Sequence, residues 1–461
     1  MPRLFVLLAL VALLPWSPLA ARAAPERPDL VLILADDLAD ADWRSLPETR
    51  RLLPAAYPNF FLTQPLCCPS RATLLTGQYP HNHGTLRNNR GPAAGWRSFE
   101  DNEGETLAVA LQTGGYRTAW IGKYLNGYPA SAGPRPGWDA WFATGDGGYS
   151  NYEVADGGRV RRFGSEPGDY STDVYRREAV EFVRTTPRRQ PLFAVVAPTA
   201  PHGPAKPAER HAGACEGERV PRAPNLNAAP AGKPAYLQQG GRLREGELDA
   251  FERDRQCALR SVDELAAAVL GALEARGRPF AVVFASDNGY LLGQHRYLGK
   301  GVPYEEAVRV TMRAAGPGFP AGVHAGVVGN VDLAPTFAAL AGVGLADPDG
   351  FDLRREARPA ILLESFGGDP AEPGDPAAQA ALPNPPMPPP WRAVRSGTAV
   401  YIETDQDGGP FREFYDLRAD PHQLRNLAGS DPRVPAYAAA LAALRDCRGP
   451  ACNEVALPAG P

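Results

Sequence analysis

Four short runs of consecutive apolar residues stand out along the chain, each bounded by polar or turn-forming positions. They are Leu30–Leu34, Thr118–Ile121, Leu192–Ala197 and Phe280–Ala285. A strand with one face in solvent alternates polar and apolar residues, whereas continuous apolarity is typical of strands buried on both faces of a mostly parallel sheet. The pattern therefore predicts that these four runs are inner strands of such a sheet.

Four other segments predict helices, and the two that begin at Asp173 and Glu247 repeat apolar residues with the helical period and carry charged residues on the outer face. The four segments are Glu105–Thr113, Asp173–Thr185, Glu247–Arg276 and Asp332–Ala341. Gly114 and Gly342 directly follow two of these segments, as is common where helices end. Because strands and helices alternate along the chain, we predict an α/β fold.

Two stretches interrupt this alternation. Residues Thr199–Gly241 are rich in Pro, Ala and Gly and predict a long irregular insertion. Asp369–Pro390 contains nine Pro and predicts a linker or loop.

The chain after the Pro-rich stretch predicts a small C-terminal α+β subdomain with an antiparallel sheet. Its predicted elements are the strands Trp391–Ser396 and Ala399–Thr404 and a helix over about Pro435–Arg445. We therefore expect an α/β domain over residues 25–365, a linker over 366–390 and the subdomain over 391–461.

Residues 1–24 have the pattern of a signal peptide. Arg3 precedes the apolar run Phe5–Leu14, and Ala21-Arg22-Ala23 is typical of a cleavage site. The run is too short to cross a bilayer and no second run of about 20 apolar residues follows, so we expect no membrane anchor. An uncleaved anchor is the alternative. The interpretation that we favour is a secreted or periplasmic protein, in which disulfides form.

The cysteines fit that compartment. Cys447 and Cys452 flank a short loop with Gly and Pro and predict a local disulfide, and Cys215 and Cys257 are candidates for a second one. The adjacent Cys67 and Cys68 need another explanation, since neighbouring cysteines rarely bridge each other.

Charge excludes one class of partner. The 461 residues carry a formal net charge of −4, which does not fit a generally basic nucleic-acid-binding surface. Arg far outnumbers Lys, and the lysines are Lys123, Lys206, Lys233 and Lys300. Lys206 and Lys233 fall in the predicted insertion, where we expect them to face solvent.

Chemically useful residues follow each of the four predicted strands. They are Asp36 and Asp37, then Lys123, then His202, then Asp287 and Asn288. Turns favour Asp and Asn, so one such residue would mean little. Ligands of open α/β sheets bind outside the carboxyl ends of the strands, however, and here every strand end carries a candidate.

The oxygen donors predict a metal site. Asp36, Asp37, Asp287 and Asn288 offer hard oxygen ligands, the preference of Ca²⁺ or Mg²⁺ rather than Zn²⁺. Three carboxylates packed together would repel one another without a cation.

A short helix is predicted after this first acidic pair. Pro69 suits a first helical turn and Gly77 suits the position past its end. Cys67 then lies at the helix N-terminus, where the helix dipole favours anions, and Arg71 can point at the same anion.

These residues carry a resemblance. Residues 67–77 match C-x-P-S-R-x-x-x-L-T-G, and residues 115–123 match G-Y-x-T-x-x-x-G-K; both patterns resemble those of the sulfatase family. Matching motifs continue from about residue 28 to 430. The Cys67-Cys68-Pro69 variant, together with Gly122-Lys123-Tyr124-Leu125-Asn126, is similar to N-acetylglucosamine-6-sulfatases in particular.

The resemblance implies a fold and a chemistry. It implies an alkaline-phosphatase-like three-layer sandwich and hydrolysis of a sulfate monoester, such as a sulfated sugar or an aryl sulfate. It also implies that a maturation enzyme converts Cys67 to formylglycine, through which a sulfated intermediate forms. The implied cofactor is Ca²⁺, with Mg²⁺ as the alternative.

The resemblance also assigns roles to individual residues. The metal ligands are Asp36, Asp37, Asp287, Asn288 and the residue-67 oxygen. Arg71 and Lys123 hold the hydrated formylglycine, Lys300 binds the sulfate and His202 protonates the leaving alcohol.

One position departs from the family pattern. Many sulfatases carry a His two residues after the Lys of the second motif, and Leu125 stands there instead. The usual base for sulfate release is therefore missing. His295 has no assigned role, and a structural role is the expectation for His81 and His83.

Three functions stay open on the sequence alone: a secreted sulfatase, a phosphonate or phosphate ester hydrolase on the same scaffold, and a catalytically inactive secreted binding protein. The intact signature favours the first. The substrate ester and the oligomeric state are not encoded in any readable motif.

Overall fold

The computed structural model describes residues 26–88, 93–355, 357–367 and 386–457. The predicted signal peptide lies outside these residues, as does most of the Pro-rich stretch. Among the described residues, no helix combines the length and apolarity needed to cross a bilayer.

The strands of the first half of the chain include all but one of the predicted inner strands. They are β1 Asp29–Ala35, β2 Ala55–Tyr57, β3 Phe60–Phe61, β4 Arg117–Lys123, β5 Ala140–Thr144, β6 Tyr152–Asp156, β7 Arg159–Phe163 and β8 Leu192–Ala197. The second half of the chain supplies β9 Phe280–Ser286, β10 Leu291–Leu292, β11 Leu298–Gly299, β12 Met312–Ala315, β13 Gly322–Val323, β14 Val328–Gly329, β15 Ala360–Ser365, β16 Trp391–Ser396, β17 Ala399–Thr404 and β18 Phe411–Asp416.

The helices follow the predicted periodic segments closely. They are α1 Pro47–Leu52, α2 Cys67–Thr76, α3 Pro80–His83, α4 Leu107–Thr113, α5 Ser171–Thr185, α6 Ala235–Gln238, α7 Glu245–Arg276, α8 Glu305–Val308, α9 Leu333–Ala341 and α10 Val434–Leu444.

A ten-stranded sheet forms the centre of the larger part, in the order β13-β2-β12-β9-β1-β8-β4-β5-β6-β7. The four predicted strands lie side by side as β9, β1, β8 and β4, and all pair in parallel. Their side chains are buried almost throughout, as the continuous apolar runs predict. Helices α5 and α7 pack on each other, as do α4 and α9. The predicted α/β architecture is confirmed.

The parallel register brings the carboxyl ends of these strands, and the polar residues there, to one edge of the sheet. Ala35 at the end of β1 pairs with Ser286 at the end of β9, and Ile33 pairs with Val196 near the end of β8. Residues that directly follow these strands therefore meet at their common carboxyl end.

The second sheet is antiparallel and has the order β15-β16-β17-β18. The bounds of β16 and β17 match the predicted strands. Strand β15 pairs with β16 along its whole length, although it precedes the Pro-rich stretch and fell inside the expected 25–365 domain. The reason is that β15 is fully buried and needs a hydrogen-bonded neighbour, which β16 provides.

Two disulfides are present, Cys215–Cys257 and Cys447–Cys452, as the cysteine spacing suggested. The first ties the insertion to α7. Lys206 is exposed as expected, but the expectation for Lys233 is wrong. Its side chain is only 2% exposed, because its ammonium is held by the Tyr415 hydroxyl and the Gln423 carbonyl oxygen, both at 2.7 Å.

Candidate active site

The acidic residues after β1 and β9 meet the basic ones across the sheet edge. Asp36 directly follows β1, and Lys123 is the last residue of β4. Asp36 Oδ2 lies 2.6 Å from Lys123 Nζ. Asp37 Oδ1 lies 2.5 Å from Lys300 Nζ and accepts a 2.6 Å hydrogen bond from Asn288 Nδ2. All five residues are buried or nearly so. The sequence-predicted strand-end residues are thus brought into a single cluster.

Helix α2 adds Cys67 to this cluster. Leu66 is extended and Cys67 is the first helical residue, while Gly77 ends the helix in a left-handed conformation with φ of 73°. The Cys67 sulfur lies 3.4 Å from Asp36 Oδ1 and 2.9 Å from Lys300 Nζ. Pro69 lies in the first turn of this helix, as predicted, and the Cys67 side chain leaves the same turn.

Cys68 faces a different environment. Its side chain packs in the main hydrophobic core, and its backbone N–H donates to Asn88 Oδ1 at 2.9 Å. Of the two adjacent cysteines, Cys67 is therefore the one directed at the charged cluster.

Arg71 closes the cluster from the second turn of α2. It is fully buried, its Nε donates to Asp287 Oδ2 at 2.9 Å, and its second terminal nitrogen lies 3.4 Å from Asp36 Oδ2. It also donates to the Lys123 carbonyl oxygen at 2.6 Å. Arg71 thereby links the residues that follow three different strands.

His202 enters from the loop after β8. Its Nδ1 lies 2.7 Å from the Gly203 carbonyl oxygen, so Nδ1 carries a hydrogen and Nε2 is the free position of the ring. Nε2 points into the cluster, 3.7 Å from Asp37 Oδ2. The ring is placed to exchange a proton at Nε2 with a group bound there.

The neighbouring positive charges offset the free-energy cost of burying the Asp36 and Asp37 carboxylates. Burial alone would raise the pKa of the Asp36 carboxyl, but Lys123, His202 and other cations outweigh it and hold that pKa below its ordinary value. Lys300 has the same effect on Asp37. Burial and the Asp36 carboxylate raise the pKa of Asp287. Burial, with the Asp36 carboxylate as the next cause, also raises the pKa of the Cys67 thiol well above its usual range.

The oxygen atoms of the cluster fit a divalent cation. Asp37 Oδ2 and Asn288 Oδ1 are buried and, among the described residues, have no hydrogen-bond partner. Ligand atoms of Asp36, Asp37, Cys67 and His202 lie within 4.8 Å of one another. A buried oxygen without a partner is costly, and a cation would supply the missing interaction. Hard oxygen donors of this kind suit Ca²⁺ or Mg²⁺.

His83 and His295 are buried and are held by contacts with residues outside the charged cluster. His83 Nε2 lies 3.0 Å from Thr73 Oγ1, and burial lowers its pKa to about 3. His295 is buried, its ring centroid lies 4.5 Å from that of Tyr304, and its Nε2 lies 3.4 Å from Asn225 Nδ2. Leu125, where the family pattern has a His, lies in the main hydrophobic core.

The large, mostly parallel sheet and the separate antiparallel sheet define an alkaline-phosphatase-like fold. Solved structures support the fold. One described as BT4656 in complex with its substrate D-glucosamine-2-N,6-O-disulfate superposes with a TM-score of 0.73 at 21% identity, over 88% of this chain and 94% of that one.

The family follows from sequence. The sulfatase family model matches residues 28–343, so the chain belongs to the sulfatase family, whose members are sulfuric ester hydrolases. The chain is 31% identical to an N-acetylglucosamine-6-sulfatase of Capra hircus, over 94% of this chain and 86% of the relative. It is 37% identical to a putative extracellular sulfatase Sulf-1 homolog of Caenorhabditis elegans, over 68% of this chain and 47% of that longer protein.

Proposed function

We propose that this chain is an exported sulfatase that hydrolyses a sulfate monoester of a saccharide, with N-acetylglucosamine 6-sulfate as the first candidate. The observation that carries the proposal is the position of Cys67. It occupies the first position of the sulfatase signature, at a helix N-terminus, between the Asp36 carboxylate and the Lys300 ammonium. The goat relative and the sugar-sulfate ligand of the structural neighbour support the substrate class.

The nucleophile in this proposal is formylglycine made from Cys67 by a maturation enzyme of the host. Hydrated formylglycine supplies two hydroxyls on one carbon: the first bonds to sulfur as the alcohol leaves, and the second loses its proton so that the carbonyl re-forms and sulfate departs. A serine at this position has no second hydroxyl and would stop after the first transfer.

The oxygen donors of the cluster hold the proposed cation. Asp36, Asp37, Asp287, Asn288 and the residue-67 oxygen are its ligands, and Ca²⁺ is the first candidate, with Mg²⁺ second. A bound divalent cation would lower the pKa of a neighbouring hydroxyl and offset the charge of a sulfate oxygen.

The basic residues bind and orient the reacting groups. Lys300 touches the Cys67 sulfur, so its ammonium is placed to bind an oxygen of a sulfate held at residue 67. Lys123 and Arg71 hold Asp36 and Asp287 in place and add positive charge where negative charge develops. His202, as the imidazolium, donates its Nε2 proton to the oxygen of the leaving alcohol, while the Gly203 carbonyl fixes the ring orientation through Nδ1.

Export rests on the signal-peptide pattern of residues 1–24 together with the two disulfides of the structure. Disulfides persist in oxidising compartments. A relative named as extracellular supports the same location.

The test of the proposed function is a comparison of matched substrates. Protein produced with a formylglycine-generating enzyme should hydrolyse an aryl sulfate with a far higher kcat/KM than the corresponding aryl phosphate or phosphonate. It should also release sulfate from N-acetylglucosamine 6-sulfate. A preference for the phosphorus esters would replace this proposal with a phosphonate or phosphate ester hydrolase, and no turnover of either class would support an inactive binding protein.

A further inference from the structure

A single guanidinium lies behind the catalytic cluster and contacts two of the loops that form it. Arg255 projects from α7 and is fully buried, with 0% of its surface exposed. One terminal nitrogen donates to the Asp37 carbonyl oxygen at 2.9 Å and to Asp42 Oδ2 at 2.5 Å. The other lies 3.5 Å from the Pro201 carbonyl oxygen. None of these contacts involves a catalytic side chain.

The contact with Asp37 is made where the backbone is unusual. Asp37 has φ of 66°, in the left-handed region that non-glycine residues rarely adopt. This conformation turns its carbonyl toward α7 and its carboxylate toward Lys300 and Asn288. Asp42 accepts a hydrogen bond from the Ala39 backbone N–H at 2.8 Å, so Arg255 holds the turn after β1 at both of its ends.

The contact with Pro201 lies one residue before His202. The Asp37 and His202 side chains face each other at 3.7 Å, although they follow different strands. A side chain that touches the backbone of both loops fixes the distance between them.

We propose that Arg255 is a positioning residue that sets the Asp37 carboxylate and the His202 ring relative to each other. The inference rests on the proposed function for the roles of Asp37 and His202. The planar guanidinium is suited to this task because it presents several donors in a fixed geometry, whereas a lysine ammonium is a single flexible point charge. The charge itself is balanced by Asp42 and lies 5.0 Å from the centroid of the Tyr290 ring.

The test uses Arg255→Lys, which keeps the positive charge but loses the planar set of hydrogen-bond donors. A matched control is Arg395→Lys, because Arg395 is also buried and paired with a carboxylate, Glu305 at 2.7 Å, but lies on β16 of the second sheet. Both variants lose comparable ion-pair geometry, so both are expected to unfold at a lower temperature.

The two variants are expected to differ at the site. Arg255→Lys should lower kcat about 10- to 100-fold with a smaller change in KM, and should weaken Ca²⁺ binding measured by calorimetry about 10-fold. It should also speed amide hydrogen exchange in the segments 36–42 and 199–204. Arg395→Lys should leave kcat, Ca²⁺ binding and exchange in these two segments unchanged.

Wild-type kcat and wild-type exchange of both segments in Arg255→Lys would overturn the inference, as would equal effects of the two variants. Hydrogen exchange and calorimetry need no substrate. A wild-type protein without sulfatase activity would therefore refute the proposed function, while these two measurements would still decide whether Arg255 orders the two loops.

Discussion

The C-terminal disulfide loop is held by a histidine whose hydrogen bonds require a positive charge. His81 Nδ1 lies 2.8 Å from Glu364 Oε1, and Nε2 lies 2.9 Å from the Cys447 carbonyl oxygen. Both partners are acceptors, so both ring nitrogens must carry hydrogen, and only the imidazolium form does. Burial opposes this charge, but the hydrogen bond and charge of Glu364 outweigh it and raise the pKa of His81 above its ordinary value of 6.5.

The sign of the pH dependence follows from that direction. The folded protein binds the proton more tightly than the unfolded chain, so this contribution to stability is complete below about pH 6.5 and is lost as pH rises through the folded-state pKa. Neutral His81 can donate only one of these two ring hydrogen bonds. A hydrogen bond to a charged group contributes about 1.5–3 kcal/mol, and the His81 side chain is only 11% exposed, so we expect a loss of about 2 kcal/mol.

The assay is urea unfolding of the wild type and of His81→Gln between pH 5.5 and 9, which is about one unit below and well above the ordinary histidine pKa. The free-energy difference between the two proteins should be largest at low pH and shrink by about 2 kcal/mol at high pH. The control is His324→Gln, because His324 contacts a carbonyl oxygen and the Tyr57 ring and, within the described part of the chain, pairs with no carboxylate. A His81→Gln difference that stays constant with pH would refute the reasoning.

Three further predictions concern the cluster at the sheet edge. Asp287→Asn should weaken Ca²⁺ binding measured by calorimetry and abolish turnover, since it removes a charged ligand and part of the Arg71 ion pair; wild-type Ca²⁺ affinity would contradict the ligand assignment. Lys300→Ala should lower kcat about 100-fold, because the Lys300 ammonium contacts residue 67. The control Lys206→Ala removes an exposed lysine and should leave kcat unchanged. Steady-state kinetics with an aryl sulfate measures both variants, and equal effects would contradict the role of Lys300. Despite Leu125, we expect no burst of alcohol in rapid-quench experiments. Ligand atoms of His202 and Cys67 lie within 4.8 Å of each other, so a His202 ring that has given its proton to the leaving alcohol is placed to accept one from the second hydroxyl of residue 67. A stoichiometric burst with sulfated enzyme in the mass spectrum would show that release is slow.

The inner strands and their polar ends were predictable because the physical signal is local. Continuous apolarity marks β1, β4, β8 and β9. The parallel register then fixes the positions of residues at or directly after the strand ends, such as Asp36, Lys123 and Asp287. The short helix α2, with Cys67 at its N-terminus, was predictable from Pro69 in its first turn and Gly77 past its end.

Features that depend on distant partners were not predictable. Lys233 is buried because it contacts Glu413 and Tyr415 of β18 and Gln423 of the loop that follows. No feature of the sequence near residue 233 indicates these contacts. Strand β15 was missed because its partner β16 follows only after the Pro-rich stretch. Edge strand β7 was missed because its residues are mostly exposed and carry little apolar pattern.

The contacts of Arg255 also depend on distant partners. In the sequence it is one of many arginines on a charged helical segment, and its role becomes visible only when α7 lies behind the turn after β1. Interpretation of helical periodicity assigns charged residues to the solvent-exposed face. A charged residue that is buried on a long helix is therefore recognised only in the structure.

The chemical identity of residue 67 tests the account most directly. Trypsin releases residues 52–71 as one peptide that contains both Cys67 and Cys68. In active protein, mass spectrometry should find an aldehyde in place of the Cys67 thiol and an intact thiol at Cys68. Cys67→Ser and Cys67→Ala should be inactive, while Cys68→Ala should keep most activity. A fully active enzyme whose peptide carries two unmodified thiols would contradict the proposed mechanism.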